Sequence, residues 1–224
     1  MSNIKTPEAK NWNNYWSLDQ TQKFTQISWS KRRIMRIIRP YLIEGRTALD
    51  AGCGSGWFTK YFCDLGLNTV ALDYSQEALD IAKEKTQGRA RLYKKDLLDE
   101  NFSNAVSERF DFIFSDGLLE HFSTKNQVTI LSNLKNVLKD DGIICTFVPN
   151  RWSPWELIRP FYMPGIEEEP FILKDLVDVH HSSGLQVLHK GGINTIPFQI
   201  SPDRFVGQYF GMLLYVITKK QTDL

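Results

Sequence analysis

Cysteine is scarce in this sequence, and long apolar runs are missing from it. The three cysteines, Cys53, Cys63 and Cys145, lie among 224 residues and share no spacing typical of a disulfide framework or a metal site. No apolar run approaches the about 20 residues that cross a membrane. The N-terminal residues Met-Ser-Asn-Ile-Lys lack the apolar core of a signal peptide. We therefore expect a cytoplasmic protein without disulfides, a metal centre or a membrane span.

An excess of charge of one sign is absent too. The net charge is +1, whereas dedicated nucleic-acid binders usually carry a basic surplus. One local stretch is basic, but isoleucines interrupt it at helical spacing, which favours the solvated face of an amphipathic helix. Its basic residues are Lys31, Arg32, Arg33, Arg36 and Arg39. We expect no nucleic-acid partner.

Strand-like and helix-like segments alternate along the chain, which predicts an α/β fold with a doubly wound parallel sheet. Strands are predicted at residues 46–51, 68–73, 90–95, 110–115, 143–148, 185–190 and 213–219. Helices are predicted at residues 24–42, 55–65, 75–88, 124–139 and 173–183. Residues 140–142 are predicted to form a turn, and residues 191–212 show no regular pattern. The last two strands are therefore expected to form an antiparallel pair.

The length and the hydrophobic content of 42% suit a single domain with one full core. Within residues 1–224 we distinguish an N-terminal lid and helix at 1–44 and a cofactor-binding core at 45–150. An aromatic insertion on the substrate side follows at 151–172. A closing helix and strands occupy 173–224.

The most informative segment is Ala-Leu-Asp-Ala-Gly-Cys-Gly-Ser-Gly at residues 48–56. An apolar run ends in Asp50, and glycines follow at positions 52, 54 and 56, with Cys53 as a small residue between two of them. Glycine allows a sharp turn after a strand and leaves the backbone open to a ligand. The helix predicted next offers free N–H groups and a partial positive charge. The pattern predicts a nucleotide-type site.

The glycine spacing indicates which nucleotide. Dinucleotide sites use Gly-x-Gly-x-x-Gly around a pyrophosphate, but here the third glycine comes one residue early and Asp50 precedes the first. An acid suits a cationic ligand better than a diphosphate. The segment resembles the first motif of the class I methyltransferases, which bind S-adenosylmethionine. That resemblance covers about residues 30–150 and implies a Rossmann-like, mostly parallel seven-stranded sheet whose last strand is antiparallel.

Polar residues end the predicted strands at the edge where such sheets bind ligands. Asp73 follows Asp50 by 23 residues, close to the interval of about 20 at which an acid binds ribose hydroxyls. Tyr74, next to it, is included in the predicted cofactor site. The resemblance implies that Asp96 and Leu97 contact adenine and that Ser115 and Asp116 face the methionine end. Taken singly, each of these acids would be an ordinary turn or capping residue.

His121 is the candidate general base. It follows the fourth strand within Leu-Glu-His-Phe, and the unperturbed pKa of histidine lies near neutrality. A packed or capping histidine is the alternative. The other histidines, 180, 181 and 189, are interpreted as surface or edge residues. Methyl transfer is an in-line displacement that needs mainly orientation, so a base is not obligatory.

Two aromatic clusters flank the cofactor core in sequence. We assign to substrate binding the residues Tyr15, Trp16, Trp152, Trp155 and Tyr162. Aromatic walls suit an apolar, aromatic or amine-bearing acceptor, although the same residues could form the core of a subdomain. Tyr15 could instead cover the methionine carboxylate.

The sequence leaves several functions open. The first is a small-molecule methyltransferase, with S-adenosylhomocysteine as the second product. The alternatives are methylation of protein or RNA, a non-catalytic S-adenosylmethionine-binding regulator, and an NAD-dependent oxidoreductase, which the glycine spacing disfavours. Neither the acceptor nor the oligomeric state follows from the pattern.

Overall fold

The computed structural model describes residues 9–18, 21, 26–159 and 168–221. Within these residues, seven strands form one sheet in the order β3-β2-β1-β4-β5-β7-β6. Every neighbouring pair is parallel except those of β7, which runs antiparallel to both β5 and β6. The predicted sheet is thus confirmed. The strands are β1 (Thr47–Ala51), β2 (Asn68–Asp73), β3 (Arg91–Lys94), β4 (Phe110–Asp116), β5 (Leu138–Pro149), β6 (Leu185–Ile193) and β7 (Leu213–Lys220).

The helices of the described residues connect these strands, and several begin at the expected caps. The Ser75 hydroxyl accepts a hydrogen bond from the Ala78 N–H at 3.2 Å, so α4 begins where the sequence predicts. Ser28 caps α2 in the same way, through the Lys31 N–H. In chain order the helices are α1 (Ala9–Trp16), α2 (Trp29–Ile38), α3 (Trp57–Asp64), α4 (Gln76–Thr86), α5 (Phe102–Ala105), α6 (Thr124–Val137), α7 (Leu173–Ser182) and α8 (Asp203–Phe210).

Helices cover both faces of the sheet because alternate side chains of each strand point to opposite sides. Phe112 and Phe114 of β4 join a core with residues of α2 and α3. Ile113, between them, joins the core on the other face with residues of α6 and α7. The central strands are therefore buried on both faces, and their polar ends are fixed at one edge.

The helix predicted at residues 24–42 is shorter than expected, and its charged face is not uniformly solvated. It spans Trp29–Ile38 and gives way to a 3-10 turn at Arg39–Tyr41, because proline at position 40 cannot continue the helix. Arg33 is buried, and its Nε lies 2.9 Å from Asp203 Oδ2. Lys31 is half-buried. The prediction of a solvated face is wrong for these two residues.

Helix α8 lies in the segment that shows no regular sequence pattern. Its Gly207 packs closely against another element, and the sequence alone does not distinguish such a glycine from a helix breaker. A Cβ on Gly192 of β6 would lie 2.0 Å from the carbonyl oxygen of Gly207, so only glycine lets the helix meet the strand at this distance. The expectation that β6 and β7 are joined without a helix is therefore wrong, although their antiparallel pairing is confirmed.

Two smaller predictions also fail. Residues 140–142 form no separate turn but belong to β5, whose register with β4 shifts between Phe110 and Phe112. His180 is fully buried and not at the surface, with Nδ1 3.4 Å from the Thr218 hydroxyl. An amphipathic helix buries whichever residue lies on its core side, and here that residue is a histidine.

Candidate functional site

A cavity of about 680 Å³ opens at the carboxyl edge of the sheet, where β1 has β2 on one side and β4 on the other. This is the switch point at which open parallel sheets bind ligands. Four acids that were predicted from strand ends meet in its wall: Asp50, Asp73, Asp96 and Asp116. The wall also contains the predicted residues Gly52, Cys53, Gly54, Tyr74, Leu97, His121, Tyr15, Trp16 and Trp155.

The glycine loop after β1 depends on glycine at two positions for different reasons. At Gly54 the backbone is left-handed, with φ +47°, and a Cβ would lie 2.5 Å from the Trp16 ring. At Gly56, with φ +64°, a Cβ would lie 2.6 Å from Cα of Ala82. The first glycine lets the N-terminal helix approach the loop, and the second lets α3 pack on α4.

Asp73 connects the end of β2 to that loop. Its Oδ2 accepts a hydrogen bond from the Gly54 N–H at 3.0 Å, and its Oδ1 accepts one from the Ser75 N–H at 2.9 Å. Burial raises the pKa of Asp73, although these backbone hydrogen bonds oppose the shift. Because each carboxylate oxygen has a second lone pair, Asp73 retains acceptor capacity toward the cavity.

Asp50 and Asp116 place two carboxyl groups with raised pKa values in the cavity wall. Asp50 is 3% exposed and accepts a hydrogen bond from the Thr59 hydroxyl at 2.6 Å. Burial raises its pKa from 3.8 to about 7, and the charges of Asp116 and Asp73 add to the shift. Burial also raises the pKa of Asp116 to about 6, against the charge of Lys31. Such a site favours a ligand that brings positive charge.

Asp96 and Leu97 lie on the loop after β3. The Asp96 carboxylate accepts a hydrogen bond from the Leu98 N–H at 2.8 Å, which fixes the loop in a short turn. Leu97 is buried, and its carbonyl oxygen accepts a hydrogen bond from the Asn133 side chain at 2.9 Å. Tyr74, which is 42% exposed, lies in the same wall.

Helix α1 lies over the cavity. Asn13 Oδ1 accepts hydrogen bonds from the Ser75 hydroxyl at 2.7 Å and from the Gln76 N–H at 3.1 Å, so α1 is tied to the start of α4. The Trp12 ring meets His121 edge-on, with ring centroids 4.8 Å apart. Tyr15 is 8% exposed; burial raises its pKa, and the charge of Glu168 adds to that shift.

Several charged residues of the cavity wall were not predicted: Lys31, Glu120, Arg159 and Glu168. Burial lowers the pKa of Lys31 to about 8, although the charge of Asp116 opposes the shift. Its Nζ donates to the Gln26 carbonyl at 2.7 Å and lies 5.0 Å from the Trp57 ring centroid. The sequence offers no signal that separates Lys31 from its basic neighbours. Glu120 adjoins His121 and was visible in that motif.

Three predicted residues do not line the cavity. Gly56 caps α3 and contacts α4. Ser115 is buried between Phe114 and Asp116, which do line it, so the alternation of the strand turns its side chain the other way. Trp152 is 63% exposed on the loop after β5. Tyr162 lies outside the described residues.

The described part of the chain contains neither a cluster of metal-ligating side chains nor a membrane-spanning helix. Among those residues, no group of three or more His, Cys, Asp or Glu side chains is arranged to hold a metal ion. No helix in the same residues is both long enough and apolar enough to span a membrane.

Comparison with known proteins gives concordant results. Residues 49–146 match the model of a family described as a methyltransferase domain. The ubiquinone biosynthesis O-methyltransferase of Actinobacillus pleuropneumoniae serotype 7 is 29% identical over 112 residues, covering 48% of this chain and 47% of that protein. A ribosomal protein L11 methyltransferase of Dictyoglomus turgidum is 30% identical over 113 residues, covering 49% of this chain and 34% of that protein. The chain spans about half the length, or less, of these curated relatives.

A similar fold occurs among solved structures. A SAM-dependent methyltransferase from Anabaena variabilis superposes with a TM-score of 0.69 at 21% identity, and the match covers 99% of both chains. This likeness extends over nearly the whole chain, beyond the segment that matches the family model. The family match, the strand order and the glycine loop at the end of β1 agree, and together they support a class I S-adenosylmethionine-dependent methyltransferase.

Proposed function

We propose that this protein transfers a methyl group from S-adenosylmethionine to a small-molecule acceptor. The observation that carries the proposal is the convergence of four strand-end acids and the glycine loop on one cavity. Its volume of about 680 Å³ lies within the range of about 300–1,000 Å³ typical of small-molecule sites.

The residues present fit the nucleoside part of this cofactor. Asp73 has free lone pairs beside the Gly54 N–H, which suits the two hydroxyls of a ribose. Asp96 and Leu97, on the loop after β3, would hold the adenine. The left-handed turn at Gly54 leaves no room for a side chain beside Trp16, so the loop backbone itself faces the ligand.

The charges fit the amino-acid part as well. Methionine carries an ammonium and a carboxylate, and Asp116 and Lys31 place an anion and a cation in the same wall. Lys31 is protonated below pH about 8, so it can pair with the carboxylate at neutral pH. Asp50 would face the positive charge of the cofactor, a cation that favours the ionised carboxylate despite burial.

S-Adenosylmethionine supplies an electrophilic methyl group when it is bound. The chain's own part is to hold the acceptor in line and to exclude water, and such orientation contributes up to about 7–11 kcal/mol. Helix α1 covers the cavity with Tyr15 and Trp16. His121 lies in the wall beside Trp12, where it can take a proton from the acceptor.

The enclosure favours a small acceptor over a macromolecule. Tyr15, Trp16 and Trp155 provide aromatic walls for an apolar, aromatic or amine-bearing molecule. A folded RNA or protein would have to displace α1, which hydrogen bonds to α4 through Asn13. The relative that is named for ubiquinone biosynthesis gives further support for a small acceptor.

Calorimetry followed by methyl transfer tests the proposal. We expect S-adenosylhomocysteine to bind with a micromolar dissociation constant and NAD⁺ not to bind. Mass spectrometry with a methyl-deuterated donor should then detect transfer to small molecules and not to RNA or protein. Binding of NAD⁺ alone would refute the proposal, whereas cofactor binding without transfer to any acceptor would indicate a regulator.

The role of His121 has its own test. His121→Asn should lower kcat about 10²–10⁴-fold for an acceptor that must lose a proton. The affinity for S-adenosylhomocysteine should not change, because the imidazole is assigned to the acceptor side. An unchanged kcat would assign His121 to packing against Trp12.

A further inference from the structure

Two glutamates with buried side chains, neither of them assigned to the cofactor, line the cavity. Glu120 is 1% exposed, and the Glu168 side chain is 4% exposed. The Glu169 N–H donates to the Glu120 carbonyl at 2.9 Å, which holds Glu168 against the short turn that carries Glu120. Both side chains line the cavity.

The positive charge beside them does not balance these two carboxylates. Arg159 Nη1 lies 3.2 Å from Glu168, but its Nε also donates to Glu156 at 2.9 Å. Oε2 of Glu120 has no hydrogen-bond partner among the described residues. A buried carboxylate oxygen without a donor is costly. A ligand that brings a donor and a positive charge would remove that cost.

The environment of Glu120 disfavours its ionised form unless a positive charge lies nearby. Burial raises its pKa well above the ordinary value, and the charges of Glu168 and Asp116 add to the shift, whereas the charge of Arg159 opposes it. A Cβ built on Gly117 would lie 3.5 Å from Oε1 of Glu120, so the carboxylate lies close to the loop after β4.

We propose that Glu120 and Glu168 form a subsite for the ammonium group of an amine-bearing acceptor. The inference rests on the proposed function and narrows its acceptor class. Aromatic rings of Trp12, Tyr15 and Trp155 line the same cavity, and the faces of such rings attract a cation. An acceptor carboxylate would instead meet like charge, and a hydroxyl would bring no positive charge to favour the ionised carboxylates.

The subsite also accounts for the histidine next to it. An ammonium nitrogen has no lone pair, so it must lose a proton before it can be methylated. The proton moves to the neutral imidazole of His121, and the freed lone pair forms the new N–C bond. The C–S bond of the donor breaks at the same time, and its electron pair stays on the neutral sulfur. Glu120 and His121 are consecutive residues of one 3-10 turn.

Matched ligands test the subsite by binding alone. With the enzyme saturated with S-adenosylhomocysteine, calorimetry compares primary amines of graded size, from butylamine to phenethylamine and tryptamine, with the corresponding alcohols and carboxylates. We expect the amines to bind at least tenfold more tightly than either counterpart. Glu120→Gln should abolish this preference. Glu169→Gln, a neighbouring change outside the cavity wall, should retain it.

Several outcomes would overturn the inference. The first is that alcohols or carboxylates bind as tightly as amines. The second is that Glu120→Gln keeps the preference for amines. The third is that no amine binds. Should Glu120→Gln not fold, Glu168→Gln must reduce the preference. Failure of the wild type to bind S-adenosylhomocysteine would refute the proposed function, whereas cofactor binding without amine preference would refute this inference alone.

Discussion

Replacing Asp50 with asparagine measures how much the buried carboxylate of Asp50 lowers the stability of the ligand-free protein. Asp50 is 3% exposed, and burial raises its pKa from 3.8 to about 7. Between pH 3.8 and about pH 7, the folded protein therefore holds a proton on Asp50 that the unfolded chain has lost. The stability that this bound proton contributes is fully present below pH 3.8 and is lost as the pH rises through about 7. Asparagine keeps the acceptor for Thr59 and does not ionise.

The expected gain follows from the size of the shift. With about 1.4 kcal/mol for each pKa unit, the asparagine variant is more stable than wild type by about 4 kcal/mol at pH 8 and about 2 kcal/mol at pH 5. The advantage thus grows by about 2–3 kcal/mol over this range. In a chain of this size 1 kcal/mol moves Tm by about 2–4 °C, so the difference in Tm should grow by about 5–10 °C.

Calorimetric melting of the ligand-free protein at pH 5 and pH 8 measures this effect. Asp111→Asn is the matched control, because burial is outweighed there by Lys139 and Thr47, which lower the pKa of Asp111. That variant should lose the same stability at pH 8 and at pH 5, because its deficit shrinks only when the pH falls below 3.8, the ordinary pKa. An Asp50→Asn variant that is less stable at pH 8, or equally changed at both pH values, would refute the reasoning.

Three further changes test the site and its support. Asp73→Ala should weaken S-adenosylhomocysteine binding at least tenfold in calorimetry, about 1.4 kcal/mol, because it removes the proposed ribose acceptor and the hydrogen bond to the Gly54 N–H. Gly54→Ala should weaken the same binding, since its Cβ would clash with Trp16 in a left-handed turn. Arg33→Ala should lower the free energy of unfolding by about 3 kcal/mol in urea, because it removes a buried guanidinium that pairs with Asp203 and donates to Asn194 and to the Phe198 carbonyl.

Each of these changes has a control at a position away from the site. Asp80→Ala removes an exposed acid of α4 and should leave cofactor affinity unchanged. Gly88→Ala also strains a left-handed glycine, but nothing lies within 4 Å of its Cβ, so only stability should fall. Arg46→Ala removes exposed pairs of 3.9 and 4.0 Å and should cost less than about 1 kcal/mol. Equal effects in a variant and its control would contradict the assigned role.

Local chemistry explains why the cofactor half of the site could be predicted from the sequence. Strand ends, glycine turns and serine caps depend on residues close together in the chain, as in β2, which runs from Asn68 to Asp73 as expected. Parallel strands align their carboxyl ends, so acids at those ends must meet at one edge. Asp50 and Asp73 therefore lie in the same cavity wall.

Distance along the chain explains the failures. Arg33 is buried because Asp203, 170 positions later, lies against it. Helix α8 packs on β6 through Gly207 and Gly192, whose contact appears only when the two elements are brought together. From composition alone, Arg33 would be interpreted as a solvated charge, and Gly192 and Gly207 would be interpreted as breakers of regular structure.

The sequence by itself determined the α/β order and the glycine turn that we assign to the cofactor, because these depend on near neighbours and on strand period. Only the tertiary structure decided which charges enter the cavity. Glu120 and Lys31 are ordinary charged residues in sequence, and burial in the folded protein is the main cause of their shifted pKa values, with the charge of Glu168 adding to the shift of Glu120. Side-chain environment is set by distant segments, and the charge of a site is therefore a tertiary property.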